Sequence, residues 1–229
     1  MFGEQKKSER SKDMILSGTE IKNRLGKDII ISPFSEQRVN PNSYNLRLAP
    51  MLYIYDVPKN EPLDPRKKYR LSAIEMPPTG LVLEPGRLYL GFTVEWTETY
   101  NLVPLVEGRS SLGRLGLFVH ITAGFGDNGY RGRWTLELSC VQPVVVYPYM
   151  EVCQIYFHTI AGDTSMRYKG KYNGAGTVLG SKLHQEFKEA QHGSIEYYSA
   201  MGGEEAENRP SPGNAGGVVG VDGACSVLK

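Results

Sequence analysis

The sequence predicts a mainly β fold, a barrel or sandwich of short strands, and three observations predict it. Apolar and alternating runs recur at spacings of roughly ten residues between residues 29 and 157. Proline and glycine clusters separate these runs and supply their turns. A clear helical pattern is confined to one short segment ahead of them.

The 229 residues suffice for one domain and a tail. Residues 1–13 are charged and aperiodic and are expected to be a mobile lead; residues 14–188 carry the domain; residues 189–229, rich in Gly, Glu, Ser and Pro, are expected to be disordered. A formal net charge of +1 with mixed signs excludes the global basic footprint of a nucleic-acid binder, so any bound anion must meet a local cluster. Cys140, Cys153 and Cys225 are odd in number and widely spaced, which fits neither a disulfide framework nor a zinc ligand set and points to reducing, cytoplasmic surroundings. The N terminus lacks the apolar run of a signal peptide, and no apolar stretch approaches the length of a membrane span, so no membrane partner is expected.

In chain order, Ser17 with Glu20 three residues on, and Ile21 and Leu25 four apart, predict a short capped helix ending near Gly26. Residues 29–34 read as a strand broken by Pro33, and residues 43–48 alternate at period two. Further strands are expected at 52–55, 69–71, 81–83, 88–96, 102–106, 134–140, 144–147 and 152–157, with Pro85-Gly86 the clearest turn. After Phe157 apolar density falls, and residues 169–176 are basic and glycine-rich.

The chemistry concentrates in residues 107–137. Gly108-Arg109-Ser110-Ser111-Leu112-Gly113-Arg114 sets two guanidinium groups around two hydroxyls. Planar guanidinium donors match phosphate oxygens in pairs, so the segment reads either as a phosphate cradle or as a surface loop of solvated arginines. A helical turn over residues 110–115 would add its N-terminal N–H groups to the same anion site. It is not a Walker loop, because the Gly-Lys-Ser or Gly-Lys-Thr ending is missing. Asp127 stands in a glycine-rich turn, where an aspartate most often bonds nearby backbone N–H groups. In residues 134–139, alternation puts Trp134, Leu136 and Leu138 on a core face and Thr135, Glu137 and Ser139 on the other. That second face either meets solvent or lines a pocket, and only a pocket makes Glu137 a candidate for proton transfer. His120 falls in a strand-like run over residues 118–122 and has no second His or Cys at ligand spacing, so a hydrogen-bonded histidine, or one at a subunit contact, fits better than a metal ligand.

Taken together, Glu107-Gly-Arg-Ser-Ser-Leu-Gly-Arg-Leu-Gly-Leu, Val119-His-Ile-Thr-Ala-Gly-Phe, Asp127-Asn-Gly-Tyr-Arg-Gly and Thr135-Leu-Glu-Leu-Ser resemble the dCTP deaminases of the trimeric dUTPase-like superfamily. The resemblance extends to Ile15-Leu-Ser, Pro41-Asn-Ser-Tyr-Asn-Leu-Arg-Leu, Leu83-Glu-Pro-Gly and Lys171-Tyr-Asn-Gly, and covers residues 14–187. It implies a distorted β-barrel or jelly-roll-like fold, a homotrimer with active sites at subunit interfaces, and Mg²⁺ carried on the triphosphate. By position, Arg109, Ser110 and Ser111 are implied triphosphate ligands, joined by Tyr168 and Lys171 from a C-terminal lid over residues 163–188. Arg114 would stabilise the reacting centre, Thr122 and Ala123 would read the pyrimidine edge, and Glu137 would be the general base at C4 of cytosine. The His-x-Glu and Pro-Cys-x-x-Cys signature of zinc deaminases is missing, so the resemblance implies water activation by a carboxylate and fixed donors, without zinc.

The implied activity is hydrolytic deamination of dCTP to dUTP and ammonia. The alternative is a bifunctional enzyme forming dUMP, because Thr122-Ala-Gly-Phe resembles such members and Asp127 sits in a turn like that of dUTPases, where the acid helps activate water near the α-phosphate. A plain dUTP diphosphatase is disfavoured by Glu137, and a non-catalytic nucleotide sensor is the reading from another class. Departures fall at Asn173 and Ala175, where the lid commonly has glutamines, at Asn45 for Asp next to Arg47, and at Asn128 and Cys140 for Pro and Asn.

Overall fold

The computed structural model describes residues 14–58 and 61–187, so the expectations for the lead and for the tail lie outside the described residues. The helix forms as its signals require: α1 (Gly18–Arg24) begins at Ser17, whose hydroxyl accepts from the Glu20 N–H at 3.2 Å. Glu20 does not complete a reciprocal capping box; its carboxylate takes Arg24 one turn on, at 2.7 Å.

Thirteen strands follow among the described residues. They are β1 (Ile29–Ser32), β2 (Tyr44–Arg47), β3 (Met51–Tyr55), β4 (Leu71–Glu75), β5 (Leu81–Leu83), β6 (Tyr89–Phe92), β7 (Trp96–Thr99) and β8 (Leu102–Gly108), then, after the helical turn α2 (Ser110–Gly113), β9 (Leu117–Val119), β10 (Arg131–Gly132), β11 (Thr135–Cys140), β12 (Val144–Val146) and β13 (Glu151–Thr159). All named pairs are antiparallel. They make four sheets: β4-β3-β6-β11-β9, β2-β13-β8, β1-β7-β10 and the ribbon β12-β5. The mainly β expectation is met, but none of these sheets closes on itself; open sheets share one core, built on fully buried Tyr44, Leu46, Leu52, Leu136, Leu138 and Phe157. No helix among the described residues is long and apolar enough to cross a membrane.

Two expected strands are redrawn by polar chemistry and backbone geometry. The run 88–96 splits into β6 and β7 because Thr93 donates to the Glu95 carbonyl at 2.8 Å, turning the chain. Glu95 there is wholly buried and is compensated by Arg47, through Nε at 2.7 Å and the backbone N–H at 2.8 Å. The run through residue 122 stops at Val119, because His120 takes a left-handed backbone with φ of 56°.

Candidate active site

The centre of the site is β11, paired with β6 on one side and β9 on the other, so that Glu137 lies opposite Leu90. Leu136 and Leu138 are wholly buried, and Glu137 projects from the opposite face with 36% of its side chain exposed. The alternation read from the sequence therefore holds, and that face lines a pocket. The pocket is a cavity of about 440 Å³ that gathers Glu137, Asp127, Ala123 and Tyr168 of the expected residues. Trp134 forms one wall, its indole N–H donating to Thr97 Oγ1 at 2.9 Å and its backbone N–H to Thr93 Oγ1 at 3.0 Å.

His120 is the residue whose role the sequence left open. Its imidazole Nδ1 pairs with Glu137 Oε2, its backbone N–H donates to the Glu137 carbonyl at 3.3 Å, and its ring stands edge-on to Trp134. It is buried, so the imidazole fixes one carboxylate oxygen of Glu137 at the cavity wall. The left-handed turn that permits this is invisible in an apolar run of side chains. Thr122 does not line the main cavity; it borders a smaller cleft of about 210 Å³ that shares His120 and Phe125 with it. Gly124, which lines the smaller cleft, packs its backbone on β8, its carbonyl accepting from the Val106 N–H at 2.8 Å. A Cβ there would come within 2.2 Å of the Val106 carbonyl oxygen, so no side chain fits.

The arginine and serine segment is elsewhere on the surface. Residues 110–113 form the expected helical turn, with Ser110, Ser111 and Arg114 exposed, and neither they nor Arg109 line the cavity. Arg109 instead meets Glu151, its Nη1 donating to the backbone carbonyl at 3.1 Å. Lys171 also stays outside the cavity, its Nζ paired with Glu186, which holds its ammonium above the usual lysine range.

The segment 164–181 folds over the cavity of its own chain, contributing Tyr168, Tyr172, Ala175, Leu179 and Ser181. Backbone contacts fasten it. Ala175 bridges Gly132, accepting from Arg133 N–H at 2.8 Å, and Asn173 links the Arg131 N–H (3.1 Å) to the Tyr168 carbonyl (3.0 Å). Asn128 is a further fastener: Nδ2 donates to the carbonyls of Thr164 (2.9 Å) and Met166 (2.8 Å), Oδ1 accepts from Asn101 N–H (2.8 Å), and its carbonyl accepts from Tyr168 N–H (2.7 Å). Tyr168 is thereby delivered next to Tyr130, whose ring lies 6.1 Å away.

Comparison with known proteins then decides the family. A family model described as dCTP deaminase-like matches residues 15–160. The chain belongs to the dCTP deaminase-like family. It is 56% identical over 175 residues to a protein of Hathewaya histolytica named dCTP deaminase, dUMP-forming, an alignment covering 76% of this chain and all of that one. Relatives of the same name in Cytophaga hutchinsonii (54%) and Clostridium acetobutylicum (51%) align over 76% of this chain and 99% of theirs. All three relatives carry the dUMP-forming name. A solved 2'-deoxycytidine 5'-triphosphate deaminase from Agrobacterium tumefaciens shares the fold, with a TM-score of 0.52 at 23% identity over 65% of this chain. The match spans about half of that solved chain, 49%.

Proposed function

We propose that this family member converts dCTP to dUMP by two hydrolyses in one site: deamination at C4, then release of pyrophosphate. The observation that carries the reading is that Glu137 and Asp127, the two acids such chemistry needs, line one cavity. In the first step Glu137 takes a proton from water as its oxygen bonds to C4; the carboxyl then returns a proton to the exocyclic nitrogen, which leaves as ammonia. In the second, Asp127 orients water toward the α-phosphorus, whose bond to the bridging oxygen breaks to give dUMP and pyrophosphate.

Triphosphate binding falls to Arg109, Ser110 and Ser111, with Arg114 at the reacting centre, and these lie outside the cavity of their own chain. A neighbouring copy supplies them, which supports a homotrimer with composite sites. Exposed Leu115 (52%), Ile121 (67%), Phe125 (64%) and Val141 (67%) give such an assembly apolar surface to cover. Among the described residues no three His, Cys, Asp or Glu side chains are grouped to hold a metal. A Mg²⁺ would arrive on the phosphate oxygens with its waters kept and would neutralise phosphate charge there.

The test is incubation of purified protein with dCTP and Mg²⁺, measuring ammonia and pyrophosphate. Equimolar amounts of both are expected. Ammonia alone would remove the second step, and pyrophosphate from dUTP without ammonia from dCTP would sink the deaminase reading. Glu137→Gln should abolish ammonia release, a loss of at least about a hundredfold, while dCTP binding measured by calorimetry persists.

A further inference from the structure

We propose that Glu151, itself oriented by Asn45, is a positioning residue that holds Arg109 with one guanidinium edge presented to the substrate's polyphosphate. The inference rests on the reading of Arg109 as a triphosphate ligand and adds the apparatus that makes it one.

Arg109 follows the end of β8, where Gly108 pairs with Cys153 of β13. A register shift in β13 between Glu151 and Cys153 re-aims Glu151 relative to its neighbours. Arg109 Nη1 donates to the Glu151 carbonyl at 3.1 Å and lies 3.3 Å from Oε2. Both contacts use the same nitrogen. Nε and Nη2 of Arg109 carry no partner among the described residues, and 37% of the side chain is exposed. The free edge offers two parallel N–H groups, the geometry that matches two phosphate oxygens.

The carboxylate is itself fixed. Glu151 Oε2 accepts from Asn45 Nδ2 at 2.8 Å, and Oε1 lies 3.5 Å from Arg38 Nε. Buried Asn45 has its amide orientation set from behind, because its Oδ1 accepts from Asn40 Nδ2 at 2.8 Å. Its Nδ2 must therefore face Glu151. An aspartate at this position would offer no donor and would set one carboxylate against another, so the amide at position 45 is what lets Glu151 serve Arg109. Asn45 makes no bond to Arg47, whose side chain is engaged by Glu95. Two guanidinium groups share the one carboxylate, so a positive surplus remains for an anion.

Calorimetric titration of the assembled protein with inorganic triphosphate, beside steady-state kinetics with dCTP, tests this. Glu151→Gln should weaken triphosphate binding about tenfold, as expected when a charge-assisted contact is lost, and should raise KM for dCTP far more than it lowers kcat. Asn45→Asp, close in size, should do the same if Glu151→Gln folds poorly, and Glu151→Asp should recover part of the loss. Deoxycytidine, which lacks phosphates, should bind all variants alike. Unchanged triphosphate binding in both Glu151→Gln and Asn45→Asp, with a loss in Arg109→Ala, would overturn the positioning role alone. No loss in Arg109→Ala would overturn it together with the reading of Arg109. A fall in kcat matching the rise in KM, or weaker deoxycytidine binding, would mark a structural effect and overturn it as well.

Discussion

At the scale of single residues, the site turns on the pairing of Glu137 with His120. A lone carboxylate on a strand rotates among several rotamers, whereas one whose oxygen is fixed by a buried imidazole keeps a single orientation at the cavity wall. His120→Asn tests this cleanly, because asparagine also tolerates a left-handed backbone but cannot reproduce the imidazole contact. Ammonia release should fall at least about tenfold, in line with the loss of a positioned general base, while the thermal midpoint moves little. Activity near that of the unsubstituted protein would show that Glu137 needs no such partner. Glu137 itself was legible in advance, because strict alternation in residues 134–139 assigns faces whatever the tertiary structure. His120 was not, because its role depends on a φ of 56° and on a strand distant in sequence.

At the scale of elements, the segment 164–181 is fastened by the very positions that depart from the family pattern. Asn173 and Ala175 look like losses when set against glutamines, yet Asn173 ties two backbone groups and Ala175 supplies a bridge to β10. Asn128, seen as a replaced proline, makes three side-chain hydrogen bonds that a proline cannot make. Asn128→Ala would orphan the Asn101 N–H and the two lid carbonyls it serves, at a cost of about 1–3 kcal/mol. Faster amide exchange over residues 164–168 and a raised KM for dCTP are the expected outcomes, with kcat the lesser change; exchange as slow as before would remove the fastening role. Tyr130 gives the same element a pH signature. Its burial, with Tyr168 beside it, holds the hydroxyl above the ordinary tyrosine range. An unfolded tyrosine releases its proton near pH 10, which the folded one retains, so this stabilisation is whole below pH 10 and is lost as pH climbs toward the folded value. Replacing Tyr130 by Phe should flatten the fall in stability between pH 9 and pH 11, measured by urea unfolding; an equally steep fall would assign it to other groups.

At the scale of the whole molecule, strand positions were legible from local alternation, but the order β4-β3-β6-β11-β9 was not, since it joins segments far apart in sequence. The same limit applied to the site. Residues 107–137 look like one site because they are contiguous, yet the fold puts Glu137 in the cavity and leaves Ser111 and Arg114 exposed outside it. If a neighbouring copy supplies those residues, two inactive variants should repair each other. Glu137→Gln and Arg114→Ala, each inactive alone, would be mixed, unfolded and refolded together. In a trimer with each site shared between adjacent copies, a site is intact when one copy keeps Glu137 and the next keeps Arg114, so random mixing at equal amounts restores about one quarter of the sites. Ammonia release near that fraction, appearing only after joint refolding, is the expected result. A mixture that stays inactive would mean that both residues act within one chain, and the exposed segment Ser110–Gly113 would then have to move to reach Glu137.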